Sequence, residues 1–207
     1  IHPREHDLVI ATFGRALWVL DDIRPLREMA RNAGASNPKN LQLYPVPDAY
    51  LANIREGAGT RFTGNAIFKG DNRPYGASIS YYLKELSKKA ASQLLPETDT
   101  VKIELLNAKG EVVRHIIQLG TKGVNRFYWE LSRDGVRAPV MPKPKKKQTP
   151  GPGMYVLPGI YTVHIKYGSF TDSASVKVLA DPRQQVDMAG LQQWQAAGME
   201  YEKMVGG

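Results

Sequence analysis

Cysteine is absent from all 207 residues, which removes thiolate metal sites, iron–sulfur clusters, cysteine nucleophiles and disulfide scaffolds from consideration. No apolar run approaches the ~18–20 residues that a transmembrane helix requires. No Gly-x-Gly-x-x-Gly, Gly-x-Ser-x-Gly or His-Glu-x-x-His stands anywhere in the chain, so nucleotide, hydrolase-elbow and zincin readings lack a foundation. The chain starts at Ile1 with no charged-then-apolar leader, as a processed or excised piece would. The lack of cysteine suits a cytosolic and a bacterial-envelope setting equally. What remains is ordinary globular composition, with 42% hydrophobic and 23% charged residues.

The formal charge is +8, but Lys143, Lys145, Lys146 and Lys147 crowd into one stretch, MPKPKKKQTPGPG, and removing those four charges leaves +4. The basicity is therefore a property of one segment rather than of a binding face. With no interleaved aromatics beside it, that segment reads as a solvated loop and not as a nucleic-acid site. Six prolines between 139 and 158 exclude strand interior there.

Residues 8–12 and 16–20 are two β-rich runs flanking Phe13-Gly14-Arg15, which predicts a hairpin. A hairpin alone is marginal in water, so this one calls for neighbours. A short helix is expected at 23–31, with Asp22 capping it, and a surface loop at 32–40. Residues 46–76 have few periodic features and read as an extended connector. From Ala77 the pattern becomes strict alternation. Ile79, Tyr81 and Leu83 oppose Ser78, Ser80 and Tyr82; Phe127 and Trp129 oppose Arg126 and Tyr128; Tyr161, Val163, Ile165 and Tyr167 oppose Thr162, His164 and Lys166. About seven such runs between 77 and 180 predict a mainly β fold, an immunoglobulin-like antiparallel β-sandwich. Residues 187–205 look helical, with Leu191, Trp194, Ala197 and Met204 near one face and Gly198 a weak spot.

Two motifs carry a family resemblance. DLVIATFGRALWVLDDIRPLR (residues 7–27) resembles the closing blade of sortilin-like β-propellers in large bacterial exported proteins, a group labelled glycosyl hydrolases with neuraminidase-type (BNR) repeats. The stretch NRPYGASISYYL (residues 72–83) is similar to the one that follows that blade in the family. VKIELLNAKGEVVRHI, GVNRFYWEL and LPGIYTVHI then resemble the immunoglobulin-like domain of the flagellar hook-capping protein. Ala16 and Arg73 depart from the family pattern, replacing a glycine and a proline. The resemblance implies four parts: a propeller remnant over 1–45, a connector over 46–76, the sandwich over 77–181 with its loop at 139–158, and a helical segment over 182–207. It also implies an extracellular or periplasmic location, and a non-catalytic accessory role in which the sandwich packs on the protein's own N-terminal propeller.

Candidate site residues follow from these readings. Arg15 and Asp22 are the candidate propeller contacts. Trp18, Trp129, Gly159 and Tyr161 are structural, Gly159 as the turn that opens a core strand. Alternation turns only Tyr82 and Tyr128 outward, so these form the candidate carbohydrate platform of a rival reading, a binding module for polysaccharide; a third reading makes the chain part of the hydrolase itself. Asp21 and Asp22 are adjacent and point to opposite faces, which does not suit paired-carboxylate catalysis. His2 and His6 have helical metal-ligand spacing, but Pro3 opposes the helix. No catalytic residue, metal, cofactor, nucleic-acid or membrane partner is expected.

Overall fold

The computed structural model describes residues 1–14, 16–32, 39–52, 73–84, 100–137 and 149–205. Strands β1 (Leu8–Ala11) and β2 (Leu17–Leu20) form a two-stranded antiparallel sheet, with Leu8 opposite Leu20 and Ala11 opposite Leu17. Thr12 closes the turn: its backbone N–H donates to the Ala16 carbonyl at 3.0 Å. Helix α1 (Arg24–Asn32) follows, with Pro25 buried in its first turn, where a missing N–H costs nothing.

Two larger sheets enclose the core. The first has three strands, β3 (Leu41–Leu43), β5 (Ala77–Leu83) and β8 (Gly123–Trp129), in the order β3-β5-β8. The second has five. In order these are β4 (Ala49–Leu51), β12 (Phe170–Ala180), β11 (Gly159–Tyr167), β6 (Thr100–Leu106) and β7 (Val112–Leu119). All their pairings are antiparallel except β4 on β12. A small hairpin of β9 (Ser132–Asp134) and β10 (Pro152–Tyr155) completes the β structure described; β10 falls inside the stretch 139–158 expected as loop, with Pro152 at its first position, where proline is tolerated. Chain order comes from residue number, with β9 and β10 lying between β8 and β11.

One hydrophobic cluster draws on both sheets: Ile79, Tyr81, Leu83, Phe127 and Trp129 from the smaller, Val101, Ile103, Leu105, Val163, Ile165 and Val176 from the larger. Trp129 and Tyr161 meet edge to face across it, with ring centroids 5.4 Å apart, a favoured aromatic geometry. The period-2 reading of these strands therefore holds, because each sheet buries one face and side chains alternate across a pleat. Strand β5 is the exception. Ser78 and Ser80, expected outside, are also buried, because the segment after β2 lies over that face.

The chain divides differently from the sequence reading at its N-terminal side. Residues 1–45 and 46–76 are read above as a propeller remnant and a connector, yet β3 and β4 hydrogen-bond into the three-stranded and five-stranded sheets. The Asp172 carboxylate ties them together further, accepting the Leu43 backbone N–H at 2.8 Å. Residues 53–72 of the expected connector, and the lysine cluster at 143–147, lie outside the described residues.

The C-terminal helix α2 (Met188–Val205) has no buried residue. Its expected face is only partly right: Leu191 is half-buried, but Trp194, Ala197 and Met204 are exposed. The contact runs through Gly198 instead, where a Cβ would collide with the Met154 sulfur of β10. No helix among the described residues is long and apolar enough to cross a membrane.

Candidate functional site

The N-terminal hairpin is held at its base and bare elsewhere. Arg126, on β8, reaches through the outer face of the smaller sheet. Its guanidinium donates to the Ser80 hydroxyl at 3.0 Å and to the carbonyls of Asp21 and Asp22 at 2.7 and 2.8 Å. Arg73 donates to the carboxylates of Asp7 at 2.6 Å, Glu5 at 3.1 Å and Asp21 at 3.4 Å. Partial burial works against ionising Glu5, but Arg4 and Arg73 outweigh it and hold its carboxyl below the usual value. Arg73 is thus the centre of the clamp.

Asp22 is buried, with φ 48°, a conformation that aspartate tolerates better than most residues. Its carboxylate accepts the Arg24 backbone N–H at 3.3 Å and the Arg24 guanidinium at 2.5 Å, so it does the work of a cap on α1. Asp21 turns to Arg73 instead; the two carboxylates serve different arginines and do not converge. Arg15 lies outside the described residues. Above the clamp, Val9, Ile10, Phe13, Leu17, Val19 and Leu20 are all exposed, and Trp18 is 66% exposed. Trp18 is therefore no part of the core, whereas Trp129 and Tyr161 are. Gly159 opens β11 as expected, but a Cβ there meets only the Tyr161 ring at 3.8 Å, so the position does not demand glycine.

Tyr82 and Tyr128 do not make a platform. Tyr82 sits opposite Val124, and Tyr128 opposite Ser78, which separates the rings by four strand positions, roughly 13 Å at the usual rise. Between them runs Arg126 with the Asp21–Asp22 backbone on top. Both rings are half-buried, and Tyr82 lies near Tyr44, whose phenol burial pushes up to about 12.

A groove forms elsewhere, where four distant stretches of chain meet. It has a volume of about 630 Å³. Leu51 of β4, Val156, Pro158 and Leu191 supply apolar surface, while Tyr75, Tyr155 and Trp194 supply rings. Tyr75 and Tyr155 pack edge to face, with centroids 6.2 Å apart and planes at 77°. Burial, aided by Tyr155, pushes the Tyr75 phenol up to about 12, so it stays a neutral hydroxyl. The walls are braced. Val156 donates its N–H to the Leu131 carbonyl at 2.8 Å, and the Tyr161 hydroxyl donates to the Leu157 carbonyl at 2.8 Å. Asp181 accepts from the side chain and backbone of Arg183, hydrogen bonds that pull its carboxyl down to about 2. Asp187 caps α2, one oxygen accepting the Ala189 N–H at 3.0 Å. No pattern along the sequence marks this groove.

A polar cluster joins β7 to the β9–β10 hairpin. Arg114 is almost fully buried and donates to Glu130, Asp134 and the carbonyls of Pro150 and Gly151. Beside it His115 Nδ1 lies 2.5 Å from the Asp134 carboxylate. This is a His–Asp pair without its nucleophile, since the nearby Ser132 hydroxyl donates to Glu130. A catalytic triad would need that hydroxyl on the imidazole; the geometry serves to fasten one hairpin to a sheet edge. His164, on β11, is exposed and faces Glu104 at 3.8 Å. Among the described residues, no group of three or more histidine, aspartate or glutamate side chains is placed to hold a metal. No family model matches this chain, and neither does any curated protein or solved structure.

Proposed function

We propose that the chain is a non-catalytic accessory module of a larger exported β-propeller protein, working in the extracellular or periplasmic space. In this reading the two sheets are an immunoglobulin-like sandwich, and β1 and β2 are strands of the propeller's closing blade. The observation that supports it is the hairpin: apolar and exposed on both faces, yet fixed at its base by Arg126 and Arg73. A two-stranded sheet exposing Ile10, Trp18 and Val19 is unstable unless something covers it. The sandwich then acts as an anchor that sets where the blade, and the propeller with it, begins and ends.

The test is a single substitution read in two contexts. In the 207-residue chain, Trp18→Asp leaves the melting temperature unchanged, because the ring is already in water. In the chain extended to include the propeller, the same change removes a buried aromatic, a loss of about 2 kcal/mol, and lowers the propeller's melting temperature. Equal behaviour in both contexts would refute the proposal.

A further inference from the structure

We propose that the groove between Tyr75, Tyr155 and Trp194 is a binding site for a neutral saccharide. The ligand class follows from what lines it. No lysine or arginine is among the described lining residues, so a phosphate, nucleotide or acidic sugar would find no counter-charge. A wholly apolar ligand fits no better: it would strip water from Asp187, Gln184 and Gln185 at the rim without replacing their hydrogen bonds. A sugar answers both demands. Its C–H faces lie against aromatic rings, and its hydroxyls both donate and accept.

The groups are placed for that division of labour. Tyr155 and Trp194 are each about half exposed, 51% and 56%, so their rings are open to a ligand. Tyr75 stands perpendicular to Tyr155 and keeps its hydroxyl protonated as a donor. Asp187 spends one oxygen on the Ala189 N–H, while its second oxygen has no hydrogen-bond partner among the described residues. The volume of about 630 Å³ falls in the range of small-molecule clefts and suits two or three sugar units. The bracing of Val156, Leu157 and Asp181 fixes the walls before a ligand arrives, which lowers the ordering cost of binding. The site is independent of the hairpin and of the propeller reading.

Titration of the whole chain with neutral cello-, chito-, xylo-, manno- and malto-oligosaccharides, followed by tryptophan fluorescence and calorimetry, tests the assignment. One series binds saturably, with the same affinity at low and high salt. Trp194→Ala and Tyr155→Ala each weaken it at least tenfold, and Asp187→Asn, which keeps the helix cap, weakens it severalfold. Asp187→Asn keeps the parent melting temperature, and the two ring removals lower it only slightly, since those rings are about half in water. Tyr82→Ala and Tyr128→Ala leave binding intact. The assignment is overturned if no series saturates, if binding survives the Tyr155→Ala/Trp194→Ala double variant, or if it disappears with salt. The Trp18 experiment is untouched by any of these results.

Discussion

Arg114 has its charge buried, with Nη1 facing the Asp134 carboxylate and the Pro150 and Gly151 carbonyls and Nη2 facing the Glu130 carboxylate, a spread that a two-pronged guanidinium reaches and a single ammonium does not. Arg114→Ala should cost about 3 kcal/mol by urea denaturation, and Arg114→Lys should recover little of it; full recovery by lysine would mean the fork is not what matters. Gly76 is as constrained by shape as Arg114 is by charge. Its φ is +115°, and a Cβ would run into the Trp129 carbonyl oxygen, so Gly76→Ala should lose at least about 2 kcal/mol. Asp181 gives a pH signature. Hydrogen bonds from Arg183 lower its folded pKa from 3.8 to about 2, so its contribution is present above the ordinary value and fades as pH falls toward 2. The melting-temperature gap between the parent and Asp181→Asn should close over that interval. Core residues such as Ile103, Val163 and Trp129 were legible from sequence because burial on one face writes itself as a period of two. Ser80 was not, because what covers it comes from Asp21 and Asp22 by way of Arg126.

Elements show the same division between local and distant causes. The hairpin, α1 and the long strands were readable, since turn residues and alternation lie within each one. Strand β4 was not: three residues carry too little pattern, and its partner is β12, more than a hundred residues away. On α2, hydrophobicity marks a face that includes Trp194 and Met204, which are exposed, while the docking contact uses a glycine, Gly198, against Met154. The hairpin's attachment predicts separable stabilities. Arg126→Ala should release β1 and β2 to proteolysis near Phe13 while the two sheets keep their hydrogen-exchange protection. Simultaneous loss of protection throughout would show that the hairpin and sheets are one cooperative unit.

At the scale of the whole molecule, half the excess charge sits in Lys143, Lys145, Lys146 and Lys147. Replacing these four by glutamine should sharply weaken retention on heparin at low salt; retention that persists would place the attraction elsewhere on the chain. The groove was invisible in sequence for a reason of this scale, being assembled from Leu51, Tyr75, Tyr155 and Trp194, which no window along the chain contains together. The parallel seam between β4 and β12 has a consequence in time. Val178 faces Ala49, so β4 has no sheet partner until the last strand of the larger sheet exists. At the usual pace of synthesis that delay is on the order of ten seconds. During it β4 leaves the ribosome without its partner strand, and the barrier to folding is set by closing that long loop. A newborn chain truncated before β12 should therefore engage chaperones, and completion of the seam should release it.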